Sequence, residues 1–275
     1  MSAVTAVISR SAIVHNYQQI KEFAPNSKVI SVLKANAYGH GLLEIARTLT
    51  ATDAIGVARI EEALELRAGG IVKPILLLEG FFEQSDIEIL ITNNIQTAIH
   101  SFHQLAMLEQ AKLSGSLKVW LKIDTGMNRL GIAPAEFEQA YQRLQQICYV
   151  SQPINLMTHF ACADDLENPF TTQQANEFFE LVANHQGQKS LANSAAIVAW
   201  PHTHVDWIRP GLLLYGCSPV NNRSAKDFGL RAAMTLSSSV IAIKQIKAGQ
   251  KVGYGSTWQA SEDTELAVIA IGYGD

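Results

Sequence analysis

Residues 29–41 read VISVLKANAYGHG. The first five are apolar or small, in the manner of a buried strand. Lys34 then interrupts the run, ahead of a turn that carries Tyr38 and two glycines. Counting back one residue, KVISVL (28–33) is the first of eight similar runs. The others are AIGVA (54–58), PILLLEG (74–80), IQTAIH (95–100), LKVWLKI (117–123), INLMTHF (154–160), SLANS (190–194) and VDWIRPG (205–211). Helical patterns lie between them. In ARIEEALELRAGG, Ala63, Leu64 and Leu66 form an apolar stripe that Gly69 and Gly70 end. PAEFEQAYQRLQQI (134–147) opens on a proline, and TTQQANEFFELVANHQG (171–187) opens on threonine and closes on glycine.

Eight strands alternating with helices predict an α/β fold, a (β/α)8 TIM barrel. A doubly wound open sheet shares that alternation, but no GxGxxG follows the first strand. From about residue 230 the pattern changes. RAAMTLSSSVIAIKQIKAGQKVGYGSTW (231–258) and ELAVIAIGYGD (265–275) alternate, are punctuated by glycine and lack helical spacing. The expected domains are therefore a barrel over 1–229 and the beginning of a C-terminal antiparallel β domain over 230–275. Ending on a strand-like run and a turn, the chain reads as cut short.

Composition narrows the function. Of 275 residues, 48% are hydrophobic and 17% charged, with mean hydropathy +0.08, which suits a globular protein with a large core. A net charge of −4 without basic clusters gives no footprint for nucleic acid. Cys148, Cys162 and Cys217 are widely spaced, which argues against a disulfide framework or a structural zinc and suits a reducing compartment. The opening residues MSAVTAVISRSAIV do not read as a signal peptide. No uncharged apolar run approaches the roughly 20 residues that cross a bilayer, so a cytoplasmic location is expected.

A barrel places its chemistry at the C-terminal ends of its strands, where Lys34 falls. An amine desolvated among apolar neighbours loses its proton more readily, as condensation with an aldehyde requires. On position alone, a salt-bridged lysine at a strand exit is the commoner explanation.

The surrounding string changes that balance. KANAYGHG (34–41), KIDTGMNRLG (122–131), MTHFACADD (157–165), ANSAA (192–196), WIRPGLLLYG (207–216) and VGYGSTW (252–258) together resemble the alanine racemases, which are fold-type III pyridoxal-phosphate enzymes. The resemblance implies racemisation of alanine by two bases, Lys34 and Tyr254, acting on opposite faces of the substrate. It also implies pyridoxal 5'-phosphate attached to Lys34, with its phosphate held by Tyr38, Ser194, Gly211 and Leu212. Arg209 would face the pyridine nitrogen, with His159 holding Arg209 in place. Arg129 would meet the substrate carboxylate, and Lys122 matches a lysine that is carbamylated in relatives. Tyr254 would serve the active site of a partner subunit, so a homodimer is expected.

Members of the family continue past GYGD (272–275). Related readings are a serine or broad-spectrum racemase and a barrel that binds the cofactor without turnover. A decarboxylase would want an acid where Arg209 stands, and a cofactor carrier would lack Tyr254.

Overall fold

The computed structural model describes residues 4–273. Strand β1 (Thr5–Ile8) precedes eight strands that close a parallel barrel. These are β2 (Lys28–Val32), β3 (Ala54–Val57), β4 (Ile75–Leu77), β5 (Ile95–Ile99), β6 (Val119–Lys122), β7 (Asn155–Met157), β8 (Lys189–Asn193) and β9 (Trp207–Arg209). They stand in chain order, and β2 closes the ring through Lys28↔Trp207 and Val29↔Ile208. All eight runs expected from the sequence are present; seven are shortened at one or both ends, and the run expected over 190–194 is shifted by one residue to Lys189–Asn193.

Helix α1 (Arg10–Phe23) leads into the barrel, and a helix follows each strand from β2 to β8. These are α2 (Leu42–Thr48), α3 (Ile60–Ala68), α4 (Gln84–Thr92), α5 (Phe102–Gln110), α6 (Phe137–Gln146), α7 (Phe170–Val182) and α8 (Ser194–Ala199). Their sequences explain them. Ser9 caps α1 by accepting the Ala12 N–H, and Ile13, Tyr17 and Ile20 form its buried stripe. In α6 the buried positions are Phe137, Ala140, Tyr141 and Leu144, one face at helical spacing. The segment expected as one helix over 134–147 starts with a 3-10 turn at Pro134–Glu136. The helix expected over 171–187 ends at Val182. Gly187 lies beyond it at φ +113°, with the Ile154 carbonyl where a Cβ would go.

Large and small side chains alternate around the lower barrel. Trp120 and Trp207 meet edge to face at 6.2 Å, while Ala54 and Ala98 leave them room beside Ile30, Leu76 and Met157. Both indole N–H groups are satisfied, by Gln96 and Gln188 at 2.9 Å each. This layer plugs the N-terminal end of the barrel.

The chain divides into two compact units. One is Ser9–Ala233; the other joins the segment ending at Ile8 to the segment starting at Met234. The division therefore falls after Ala233 rather than at 229. Residues 230–233 are tied to the barrel unit: Asn16 exchanges two hydrogen bonds of 2.8 Å with the Arg231 backbone, and Ala233 N–H donates to Tyr215 O at 3.1 Å. The first residues belong to the smaller unit because β1 pairs antiparallel with β10 (Met234–Ser237). The rest of that unit is antiparallel too. β11 (Val240–Ile246) pairs with β14 (Thr264–Ile269), and β12 (Lys251–Val252) with β13 (Trp258–Gln259). Two-stranded ribbons bury little, and Ile241 and Ile243 are 65% and 66% exposed. Among the described residues, no helix is long and apolar enough to cross a membrane, and the three cysteines are free thiols.

Trp120→Ala should lower the unfolding free energy by about 3–5 kcal/mol, read by urea denaturation followed by circular dichroism. A much smaller loss would show that the bottom layer is not packed as one unit.

Candidate active site

Strand β2 stays in register with β3 to its end, where Leu33 N–H donates to Gly56 O at 2.8 Å. The chain then does something composition does not suggest. Ala35, Asn36, Ala37 and Tyr38 all have left-handed backbones, with φ of 52°, 53°, 54° and 53°. Each such L-residue costs roughly 1–2 kcal/mol, so the four together cost roughly 4–8 kcal/mol. Hydrogen bonds oppose the strain: Ala37 N–H to Leu33 O at 2.8 Å, Gly39 N–H to Ala35 O at 3.1 Å, and Leu42 N–H to the Asn36 side chain at 2.8 Å. Lys34 and Tyr38, at the two ends of this turn, both face one cavity of about 570 Å³.

That cavity opens at the C-terminal mouth of the barrel. Lys122, His159, Ser194 and Arg209, at or just beyond the ends of β6 to β9, also line it, together with Arg129, Gly211 and Leu212. Of the site residues expected from sequence, Tyr254 stands elsewhere. It lies on the short turn Tyr254–Ser256 of the smaller unit, with its side chain fully exposed.

Arg209 is 4% exposed and has no carboxylate partner among the described residues. Its Nη1 donates to Ser190 Oγ at 2.5 Å. Its Nη2 donates to Thr158 O at 2.5 Å, to Leu191 O at 3.2 Å and to His159 Nδ1 at 3.2 Å. Among the described residues no acceptor meets Nε. Burial pulls the guanidinium down to about 10, which leaves it charged at neutral pH. Because His159 Nδ1 accepts, the imidazole carries its proton on Nε2. Burial, and then the Arg209, Lys122, Arg129 and Lys34 charges, hold His159 well below the usual histidine range.

Lys122 is also buried, and no hydrogen-bond partner meets its amine among the described residues. Burial, then Arg209 and Arg129, pull it down to about 8. Arg129 sits on a tight loop wound around Asp124, whose carboxylate accepts the Gly126 and Asn128 N–H groups at 3.0 Å each. Gly131, at φ +150°, brings the loop back so closely that a Cβ would lie 2.5 Å from Asp124 N.

The base of this loop and the loop after β7 are joined underneath. Thr125 Oγ1 and Thr158 Oγ1 are 2.8 Å apart. Fully buried Gln174 donates to Thr125 Oγ1 and His159 O and accepts the Ala161 N–H at 2.9 Å.

At the opposite wall, Asn193 and not Ser194 caps α8, accepting the Ala196 N–H at 3.0 Å. Ser194 is thereby released: its Oγ accepts Gly211 N–H at 2.8 Å and keeps its own proton to donate. The Gly211 N–H is therefore committed within the protein, whereas no described acceptor meets the Leu212 N–H. Gly211 contributes room, since a Cβ there would stand 2.6 Å from Tyr38 Oη. Tyr38 packs on Tyr215 at 4.8 Å, and burial raises its pKa, so the phenol remains a donor at neutral pH.

Four cations (Lys34, Lys122, Arg129, Arg209) line the cavity against two acids, Glu79 and Asp164. Such a surface prefers anionic ligands. Sequence reasoning did not single out Glu79, Asn193, Asp124 or Gln174. The acid ending LLLE and the Asn before SAA were visible signals for Glu79 and Asn193; nothing distinguishes Gln174 from an exposed polar residue.

Comparison with known proteins agrees along the whole chain. Residues 8–219 match the family described as alanine racemase, N-terminal domain, and residues 233–275 match alanine racemase, C-terminal domain. An alanine racemase of Aliivibrio salmonicida is 54% identical over 275 residues, covering 100% of this chain and 77% of that protein. One from Yersinia pestis is 55% identical with the same coverage. Among solved structures, a biosynthetic alanine racemase from Pseudomonas aeruginosa superposes with TM-score 0.96 at 40% identity, and one from Acinetobacter baumannii with TM-score 0.90 at 38%. Each spans 100% of this chain, which in turn covers 77% of it.

The depressed His159 gives a signed pH dependence. Between its folded value and the ordinary value of about 6.5, the unfolded chain binds a proton that the folded chain refuses. Stability should therefore fall as pH drops below about 6.5. In His159→Gln the slope of unfolding free energy between about pH 6.5 and 5 should be shallower by up to about 1.4 kcal/mol per pH unit. An unchanged slope in denaturation series would mean that His159 is protonated when folded.

Proposed function

The chain belongs to the alanine racemase family, and from that premise we propose that it interconverts L- and D-alanine with pyridoxal 5'-phosphate held in the cavity at the barrel mouth. The observation that carries this reading is the convergence of Lys34, Tyr38, Ser194, Arg209 and Gly211 on one cationic cavity. The donor set suits the cofactor. A tyrosine hydroxyl, a serine hydroxyl and the free Leu212 N–H offer donors to a phosphate beside the space that Gly211 leaves. Lys34 would hold the aldehyde carbon covalently. When bound, the cofactor's conjugated ring takes up the electron pair left by breaking the α C–H bond.

The protein's own groups would do the rest. Lys34 moves a proton on one face of the α carbon. Tyr254 moves one on the other face, supplied by a second copy of the chain in a homodimer; its full exposure leaves the phenol available for such a role. Arg209 would offer its free Nε–H to the ring nitrogen and would not give up that proton at working pH. By withholding its proton from that nitrogen, Arg209 would favour prompt return of a proton to the α carbon over side reactions. Neutral His159 holds the guanidinium in place without adding charge. Arg129 would pair with the substrate carboxylate. Lys122, with an amine that is partly neutral near pH 8 and makes no ion pair among the described residues, suits carbamylation by carbon dioxide, with loss of a proton. The resulting anion would orient Arg129. The setting that belongs with this chemistry is the cytoplasm, with D-alanine supplied for cell-wall peptidoglycan or consumed as a nutrient.

Two measurements test the reading. Borohydride reduction and peptide mapping should find the pyridoxyl group on Lys34, and Lys34→Ala should abolish racemisation of L- and D-alanine; an adduct on another lysine would refute the assignment. Gly211→Ala should weaken pyridoxal 5'-phosphate binding by roughly tenfold or more, because the new methyl displaces the Tyr38 hydroxyl. Unchanged affinity in a spectroscopic titration would remove Tyr38 from the phosphate.

A further inference from the structure

The left-handed turn over 35–38 has little packing to hold its first half, since Ala35 and Asn36 are exposed and Ala37 is buried. Leu33 O accepts the Ala37 N–H, while the Asn36 N–H, one residue earlier, makes no bond to a main-chain carbonyl of the turn among the described hydrogen bonds. The Asn36 N–H instead donates to Glu62 Oε1 at 3.3 Å. Glu62 stands on α3, outside the cavity. Its other oxygen, Oε2, accepts the Ala58 and Arg59 N–H groups at 3.0 and 3.2 Å, an ordinary cap for that helix. One carboxylate thus does two jobs with two oxygens. On the far side, the Asn36 side chain accepts Leu42 N–H at the start of α2. The middle of the strained turn is anchored to one neighbouring helix by its N–H and to the next by its side chain.

We propose that Glu62 is a positioning residue for the active site: its Oε1 holds the left-handed turn whose ends deliver Lys34 and Tyr38 to the cavity. For Lys34 and Tyr38 as cofactor ligands the proposal rests on the function given above; the tether itself does not.

Glu62→Gln separates the two jobs. A glutamine keeps one accepting oxygen for the cap of α3, and its NH2 cannot accept the Asn36 N–H. In the cofactor-free chain, amide hydrogen exchange over 34–42 should then accelerate by about fivefold, one net hydrogen bond's worth, while 60–68 is unchanged. Pyridoxal 5'-phosphate should bind about fivefold more weakly. Ala35→Gly placed on Glu62→Gln should recover most of that affinity, because glycine adopts φ near 52° without strain and position 35 packs against nothing that a methyl would fill. Unchanged exchange over 34–42, acceleration shared equally with 60–68, or a glycine variant that recovers no affinity would each reduce Glu62 to a helix cap and overturn the proposal. If borohydride mapping fails on Lys34 while the exchange result holds, the functional reading falls and the tether stands.

Discussion

Arg209 keeps its charge inside the protein with no carboxylate paired to it among the described residues. A cation so placed is costly unless its donors are satisfied, and here the barrel supplies acceptors for both Nη groups: two main-chain carbonyls, a serine oxygen and an imidazole nitrogen. Those acceptors come from Ser190 and Leu191 on β8 and from Thr158 and His159, the two residues that follow β7. The guanidinium therefore pins three neighbouring strand ends at the mouth. It also sets the protonation of what surrounds it. His159 is held neutral and Lys122 is depressed by the same neighbouring charge added to burial. An acid placed beside Arg209 would cancel these effects, and the cavity would lose much of its preference for anions.

Strain and charge are held by different means. The turn over 35–38 is expensive in backbone energy but carries no buried charge; polar tethers and one buried alanine keep it. Reversing the twist while keeping L-residues changes the direction in which Cβ leans along the axis, so the hand of the turn governs how the Tyr38 ring leaves the chain. Tyr38 then lies against Tyr215, whose hydroxyl donates to Val32 O at 3.1 Å, back on the strand that launched the turn. Strand, turn and aromatic pair close a loop of mutual support.

The barrel was legible because its strands are buried on both faces and read as compact apolar runs such as ILLL and VWLK. β1 was not: its four residues are short and exposed to partly exposed, and their pairing with β10 spans more than two hundred residues. That single pairing moved the start of the chain out of the barrel unit. The chemical residues at the strand ends were found because motif and strand end coincide. The left-handed turn stayed hidden because Lys-Ala-Asn-Ala-Tyr contains no glycine and its alanines favour an ordinary helix. Gln174 was equally hidden, since its amide looks like the polar side of α7 until the Thr125–Thr158 contact is placed beneath it.

Stability and chemistry meet in how the barrel is filled. The bulkiest interior residues, Trp120 and Trp207, sit at the N-terminal end with their polar edges turned to glutamines. Concentrating the bulky apolar side chains toward that end, where they wall a cavity of about 400 Å³, leaves the C-terminal layer to Lys122, His159 and Arg209, whose long or polar side chains do not close the space above them. The cavity is thus the complement of the core: apolar volume is concentrated below, and the room above is lined by a neutral imidazole and by cations that favour an anionic ligand. Enlarging the lower layer would push side chains upward into the cavity, and shrinking it would let the strand ends that grip Arg209 relax inward. The volume and the electrostatics of the site follow from one packing decision, which is why substitutions far below the mouth would be felt at it.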